Sequence, residues 1–188
     1  MQDSLKSMDT YQRYAITEDG ISPWAVPGME GGMNLVTGNE RNEWGQVSIE
    51  PENRVAMMDK RRRKIAAIRH LLPTAIERGD ETATLGLIGT GMETGVMFEA
   101  SEILAEKGLK TRCHQPRTLS PVLDDTRDFI SQCDRIYVIE HNEHGQLRRH
   151  LRAAGCEGAQ LESILKYNGV PFGPGELAEL IQEREASK

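Results

Sequence analysis

Ala83-Thr84-Leu85-Gly86-Leu87-Ile88-Gly89 is a short apolar run with small residues at its far end. A run of this length and composition suits a strand buried on both faces, as in a parallel sheet. The chain downstream repeats a strand-then-helix pattern. Glu93 through Lys107 reads as a helix with Val96, Ala100, Ile103 and Leu104 on one face, and Gly108 is placed to end it. Leu109 to Gln115 gives a second strand. Leu123 to Cys133 gives a second helix with Phe129 and Ile130 inward. Arg135-Ile136-Tyr137-Val138-Ile139 is the clearest strand of all. His144 to Ala154 forms a third helix with Leu147 and Leu151 one turn apart. Residues 161–167 read as a fourth strand or a short helix, and Glu176 to Glu185 as a closing helix opened by Pro174-Gly175. Strands alternating with helices predict an α/β domain, a parallel sheet covered on both faces in three layers.

Upstream the character changes. Residues 1–53 carry 9 acidic and 3 basic side chains, against 20 of each in residues 54–188, so this arm holds the whole net charge of -6. Both tryptophans, Trp24 and Trp44, lie in it, with Tyr11 and Tyr14. Gly20, Pro23, Pro27, Gly28, Gly31, Gly32, Gly38 and Gly45 punctuate it as turns, and no periodicity runs through most of it. A long irregular segment rich in aromatics is expected to be ordered by packing against something. Residues 54–78 read as one long helix, with Glu52 and Asn53 at its start. Val55, Met58, Arg62, Ile65, Ile68 and Leu72 are spaced by three and four, and Pro73 kinks or ends it. The run Lys60-Arg61-Arg62-Arg63-Lys64 reads as a solvated helical face, with a phosphate or acidic-partner patch as the sharper alternative. The organisation is therefore an arm over 1–53, a linker helix over 54–79 and an α/β domain over 80–188.

A chain of 188 residues can bury a core without disulfides or metals. A pI near 5.5 argues against general nucleic-acid binding. No apolar run is long enough to span a membrane, and Met1-Gln2-Asp3-Ser4 lacks the basic-then-apolar pattern of a signal peptide. Cys113, Cys133 and Cys156 are widely spaced and odd in number, which fits buried thiols in a reducing cytoplasm better than a disulfide or metal framework.

Three stretches carry candidate chemistry. Gly89-Thr90-Gly91-Met92-Glu93-Thr94-Gly95 is a strand-to-helix turn of the kind that cradles phosphates, but its GxGxxxG spacing misses the dinucleotide fingerprint and Glu93 would repel a pyrophosphate. Arg117-Thr118-Leu119-Ser120-Pro121 follows the second strand; Arg117 could meet an anion or a partner carboxylate. Glu140-His141-Asn142-Glu143-His144-Gly145-Gln146-Leu147 ends the third strand, at the sheet edge where α/β ligand sites lie. Its two histidines and two glutamates invite a metal, yet one short turn would have to supply every ligand. Hydrogen bonding across a loop or subunit contact is the better reading. No Ser-His-Asp, P-loop or HExxH pattern is present.

Several stretches together resemble one family. Tyr14-Ala15-Ile16-Thr17-Glu18-Asp19-Gly20-Ile21-Ser22-Pro23 with Pro27-Gly28 is similar to a signature segment of 2-oxoacid:ferredoxin oxidoreductase alpha subunits, above all the 2-oxoglutarate type. Thr37-Gly38-Asn39-Glu40, Pro51-Glu52-Asn53-Arg54 and Met57-Met58-Asp59-Lys60-Arg61 continue the likeness. So do Arg117-Thr118-Leu119 with Pro121, Glu140-His141-Asn142 with Gly145-Gln146-Leu147, and Leu165-Lys166-Tyr167-Asn168-Gly169 with Pro171-Phe172. The family usually has arginine after Ile-Ser-Pro, where this chain has Trp24.

The resemblance implies that residues 80–186 are similar to the C-terminal domain of transketolases and that the arm wraps a neighbouring domain. It implies the C-terminal region of an alpha subunit in a complex that oxidatively decarboxylates a 2-oxoacid to its acyl-CoA and reduces ferredoxin. This chain would supply scaffold and contacts, with no catalytic, cofactor-binding or metal-ligating residue of its own. Thiamine diphosphate, Mg and an iron–sulfur cluster would sit on partner subunits. The implied partners are a beta subunit carrying thiamine diphosphate and the cluster, the pyrimidine-binding domain of the alpha subunit, and ferredoxin through the complex. Arg117, Pro121, Glu140, Asn142 and Gln146 are the candidate inter-subunit or inter-domain contacts. Two other readings stand beside it: a stand-alone nucleotide-binding module using residues 89–95, and a non-catalytic remnant of a truncated subunit.

Overall fold

The computed structural model describes residues 10–156 and 158–187. Met1-Gln2-Asp3-Ser4, the place a signal pattern would occupy, lies outside the described residues. The chain forms two compact units, Met1–Leu71 and Leu72–Lys188.

In the first unit a helix, α1, spans Pro51–Ala67, with Pro51 in its first turn where a missing N–H costs nothing. A single 3-10 turn, Arg69–Leu71, follows. The helix is thus shorter than the expected 54–78, because the chain leaves the helical conformation ahead of Pro73. The expected inward face is also not the buried one. Val55, Met58 and Ile65 are exposed, and the buried residues of α1 are Met57 and Lys60.

The reason lies in how residues 10–53 are held. This arm is irregular apart from one bridge between Arg41 and Val47, and it is seated on α1 by the charge run. Lys60 Nζ donates to the Tyr14 carbonyl at 3.0 Å, Arg63 donates to the Thr17 carbonyl at 3.2 Å, and Arg61 pairs with Glu40 at 2.6 Å. Gly20 lies with φ +77° against the α1 backbone, where a Cβ would collide with the Lys60 carbonyl. Of the run expected as a solvated face, Arg61, Arg62 and Lys64 are exposed, while Lys60, Arg61 and Arg63 clamp the arm to the helix. Ala15 and Met57 are the buried apolar residues of this unit among the described ones, while Trp24 is 51% and Trp44 44% exposed. Polar anchors, not an apolar core, hold the arm in place.

The second unit is a five-stranded sheet in the order β1-β3-β2-β4-β5. Its strands are β1 Ile76–Gly79, β2 Leu85–Ile88, β3 Arg112–Gln115, β4 Arg135–Glu140 and β5 Gln160–Leu165. The helices are α2 Glu93–Glu106, α3 Asp124–Ser131, α4 Gln146–Ala153 and α5 Pro174–Ala186. Strands β2 to β5 are parallel, and β1 joins the edge antiparallel to β3, pairing Glu77 with His114. This edge strand falls where the sequence reads as helix. All four of its residues are exposed, so no alternation marks it, and its charged Glu77 and Arg78 suit an edge. Of the strand and the short helix expected around 161–167, the strand is the one that forms, as β5.

Crossovers running in opposite directions from β2 put helices on opposite faces. One layer joins Leu87, Tyr137 and Ile139 to Met97, Ala100 and Leu104 of α2 and Leu177 and Ile181 of α5. The other joins Ile88, Ile136 and Val138 to Phe129 and Ile130 of α3 and Leu147 and Leu151 of α4. The expected three-layer α/β domain is the observed one. Gly86 faces the second layer, where a Cβ would lie 2.9 Å from Cys133 Sγ and 2.9 Å from Ile136 Cγ1, so α3 packs directly onto bare backbone.

No helix among the described residues is long and apolar enough to cross a membrane. The three cysteines are buried and free. Burial pushes the Cys113 thiol up to about 12 and that of Cys133 up to about 11, which leaves them as small hydrophobes rather than nucleophiles.

Candidate functional site

The strand order reverses beside β2: the chain leaves it for β3 on one side and returns to β4 on the other. Such a switch point opens a crevice at the carboxyl ends of the two strands. A cleft of about 430 Å³ lies there, lined by Thr90 and Glu93 from the turn after β2, by Ile139 to Asn142 at the end of β4, and by Leu119, Gln146, Leu147 and His150. All three stretches singled out in the sequence therefore meet in one place. The 117–121 loop is tied to α4, the helix into which residues 140–147 lead: His150 Nε2 donates to the Leu119 carbonyl at 2.6 Å.

Glu140 is buried and organises this corner. Its Oε2 accepts from the Leu147 amide at 2.6 Å and from Asn142 Nδ2 at 2.9 Å, while Oε1 accepts from the Arg148 amide at 3.2 Å. A carboxylate is thus set against the first turn of α4, where free amides and the helix dipole favour negative charge. Asn142 Oδ1 adds acceptance from the His144 and Gln146 amides, both at 3.1 Å. Glu140 and Asn142 shape the loop from within. Gln146 and Arg117 are exposed and Pro121 is half-buried, so these three present the surface. Arg117 forms no ion pair among the described residues.

The other wall is a pair the sequence could not show. His141 Nδ1 lies 2.6 Å from Glu93 Oε1, and His141 Nε2 accepts from the Phe172 amide at 3.1 Å. An amide can only donate, so Nε2 carries the lone pair and Nδ1–H donates to Glu93. His141 is engaged at both ring nitrogens, which removes it from metal ligation in this arrangement. No group of three His, Cys, Asp or Glu positioned for a metal occurs among the described residues. The Glu93 carboxylate also faces the mouth of the glycine turn, where a pyrophosphate would have to lie.

One array was hidden from motif reading. Glu77 Oε1, His114 Nδ1, His114 Nε2 and Thr126 Oγ1 form an acid–imidazole–hydroxyl chain with both links at 2.9 Å. It has the order of a nucleophile-activating triad. Thr126, however, is 1% exposed, and no substrate can reach its hydroxyl. Burial lowers the His114 pKa against the pull of Glu77, so the ring is a neutral strut between β1, β3 and α3.

No protein-family model matches the chain. Over 172 residues, 89% of the chain, it is 34% identical to 2-oxoacid:ferredoxin oxidoreductase 2, subunit alpha, of Aeropyrum pernix, and the match covers 26% of that protein. It is 31% identical over 176 residues, 91% of the chain, to the 2-oxoacid:ferredoxin oxidoreductase subunit alpha of Saccharolobus solfataricus, covering 27% of it. The chain spans about a quarter of the length of these curated relatives. Among solved structures, the 2-oxoglutarate:ferredoxin oxidoreductase from Magnetococcus marinus, with 2-oxoglutarate, coenzyme A and succinyl-CoA bound, superposes with a TM-score of 0.79 and 32% identity. That superposition takes in 94% of this chain and 31% of the other.

Proposed function

We propose that this chain is the C-terminal scaffold region of the alpha subunit of a 2-oxoacid:ferredoxin oxidoreductase, with 2-oxoglutarate as the substrate. The observation that carries the reading is the continuity of the likeness, which runs through 94% of the chain in one solved oxidoreductase. The reaction proposed for the assembled enzyme converts a 2-oxoacid and coenzyme A to acyl-CoA, carbon dioxide and a proton, with two electrons passing to two ferredoxins. Thiamine diphosphate, Mg and the iron–sulfur cluster are assigned to partner subunits.

The chain's own contribution is positional. The switch-point corner presents Arg117, Pro121 and Gln146 on a framework stiffened by Glu140 and Asn142, and the arm presents Trp44. Amphipathic aromatics and an uncommitted arginine are the residue types that anchor subunit contacts.

The test is co-purification of the tagged chain from its own cells, followed by 2-oxoglutarate- and CoA-dependent dye reduction. Recovery of thiamine- and cluster-bearing subunits with activity supports the reading. An Arg117→Ala chain is expected to recover less partner, and unchanged recovery removes Arg117 from the interface. A chain purified without partners or activity overturns the assignment.

A further inference from the structure

The first unit holds a second concavity, of about 580 Å³, between α1 and the arm that carries the chain's net negative charge. Its lining is the reverse of that charge. Arg13, Arg41, Lys60, Arg61 and Lys64 all contribute to its wall, and no carboxylate does. Three of these cations crowd one ring: Arg41 Cζ is 4.9 Å, Arg13 Cζ 5.3 Å and Lys60 Nζ 5.8 Å from the Tyr14 centroid.

Their partners account for little of this charge. Arg61 is neutralised by Glu40. Arg41 spends its donors on the Tyr14 hydroxyl and the Asn39 carbonyl, and Lys60 donates to the Tyr14 carbonyl, all neutral groups. Among the described residues, Arg13 and Lys64 pair with no acid. Glu43, which accepts from the Ile16 amide, supplies one negative charge that acts on Lys60 without pairing with it. Lys60 is 7% exposed, and its pKa is lowered first by burial and then by Arg13, Lys64 and Arg61, with Glu43 pulling the other way. Like charges gathered around a buried ammonium are costly when left uncompensated.

We propose that this cleft binds a small organic di- or triphosphate, with its phosphates on the cationic wall and its organic end against Trp24. Four cations without an acidic partner match several phosphate charges, where one carboxylate would leave most of them unmet. Arginine forks suit phosphate oxygens, and the volume is that of a small-molecule site. Arg13 and Trp24 also line an adjoining groove of about 640 Å³ walled by Val26, Met29, Met33 and Val36, which continues the apolar surface away from the charges. The site is separate from the glycine turn at 89–95 and does not depend on the oxidoreductase assignment.

The experiment titrates the full chain with ADP, with inorganic pyrophosphate and with an oligoglutamate peptide, read by tryptophan fluorescence and calorimetry at low and moderate salt. Lys60→Met risks misfolding, so the deciding variants are Arg13→Glu and Lys64→Glu, with folding checked by circular dichroism and Lys107→Glu as a remote charge control. The expected result is saturable binding of ADP, stronger than pyrophosphate. It should weaken by about tenfold or more in each deciding variant and stay unchanged in the control, about 1.4 kcal/mol per tenfold. Absence of saturable binding overturns the proposal. So does an equal loss in the control variant, or tighter binding of the peptide than of ADP, which would make the cleft a seat for an acidic partner segment.

Discussion

His141 Nδ1 and Glu93 Oε1 lie 2.6 Å apart, joining residues 48 positions distant in sequence across the mouth of the switch-point cleft. Because the Phe172 amide donates to His141 Nε2, the ring is fixed in one tautomer, and Glu93 accepts the proton that this tautomer presents. Three segments, the β2–α2 turn, the end of β4 and the approach to α5, are locked by one imidazole. His141→Ala leaves both the Phe172 amide and Glu93 without that partner and is expected to cost about 1–3 kcal/mol in urea unfolding. Glu93→Gln keeps an acceptor for Nδ1–H and should cost less. Equal losses would show that the carboxylate's charge matters more than its geometry.

Glu140 makes the complementary prediction. Its oxygens serve two amides of α4 and the Asn142 side chain, and each oxygen has one backbone donor that cannot turn away. Glu140→Gln would place an NH₂ against an amide N–H and withdraw charge from the helix start. A loss of about 1–3 kcal/mol is expected, with hydrogen-exchange protection falling first in residues 146–149. Uniform loss across the sheet would instead mean that the loop is not a local unit.

The α/β unit was legible in the sequence because its two central strands are compact apolar runs and strands alternate with helices that carry an apolar face. Leu85–Ile88 and Arg135–Glu140 are the cases in point. Edge strand β1 was not, since Ile76–Gly79 is exposed throughout and is defined by its pairing with β3. The α1 periodicity misled for a related reason. Val55, Met58 and Ile65 form a genuine apolar row, but the arm is clamped by hydrogen bonds from Lys60 and Arg63 to carbonyls, which hydropathy does not register. At the site, the sequence located all three stretches; it could not pair Glu93 with His141, because contacts between side chains so far apart follow from sheet topology alone.

Glu40 is the acid-labile pin of the arm. Hydrogen bonding from Arg61 leads the causes that bring its carboxyl down to about 2 from 4.5, with the Arg41 amide and the charges of Arg61 and Arg54 adding to it against desolvation. A depressed carboxyl stabilises the folded form above the unfolded value, and that contribution is lost as pH falls through the folded one. Loosening of residues 10–53 is therefore expected between about pH 4.5 and 2. Emission from Trp24 and Trp44 should report it, and Glu40→Gln should remove the step. A step that persists in Glu40→Gln would assign it to another group.

His114 makes a separate prediction at milder pH, with the opposite origin. The ring is fully buried, packed 4.6 Å from the Phe129 ring, and its pKa lies below the ordinary 6.5. Desolvation is the leading cause. Glu77 and Asp125 pull upward, Arg112 pushes down, and burial prevails. Here the unfolded chain takes up a proton before the folded one does. Stability is then constant above about pH 6.5 and falls as pH drops from there toward the folded pKa, by at most about 1.4 kcal/mol per pH unit for one proton. Urea midpoints taken from pH 7.5 to 5 should show that slope in the native chain. His114→Gln, which retains a donor for Glu77, should be less stable at pH 7.5 yet flatter across the same range. A native midpoint that is level over this interval would mean that Glu77 offsets burial and leaves the folded pKa at its unfolded value, and one that rises as pH falls would mean that the imidazole between β1 and α3 is charged.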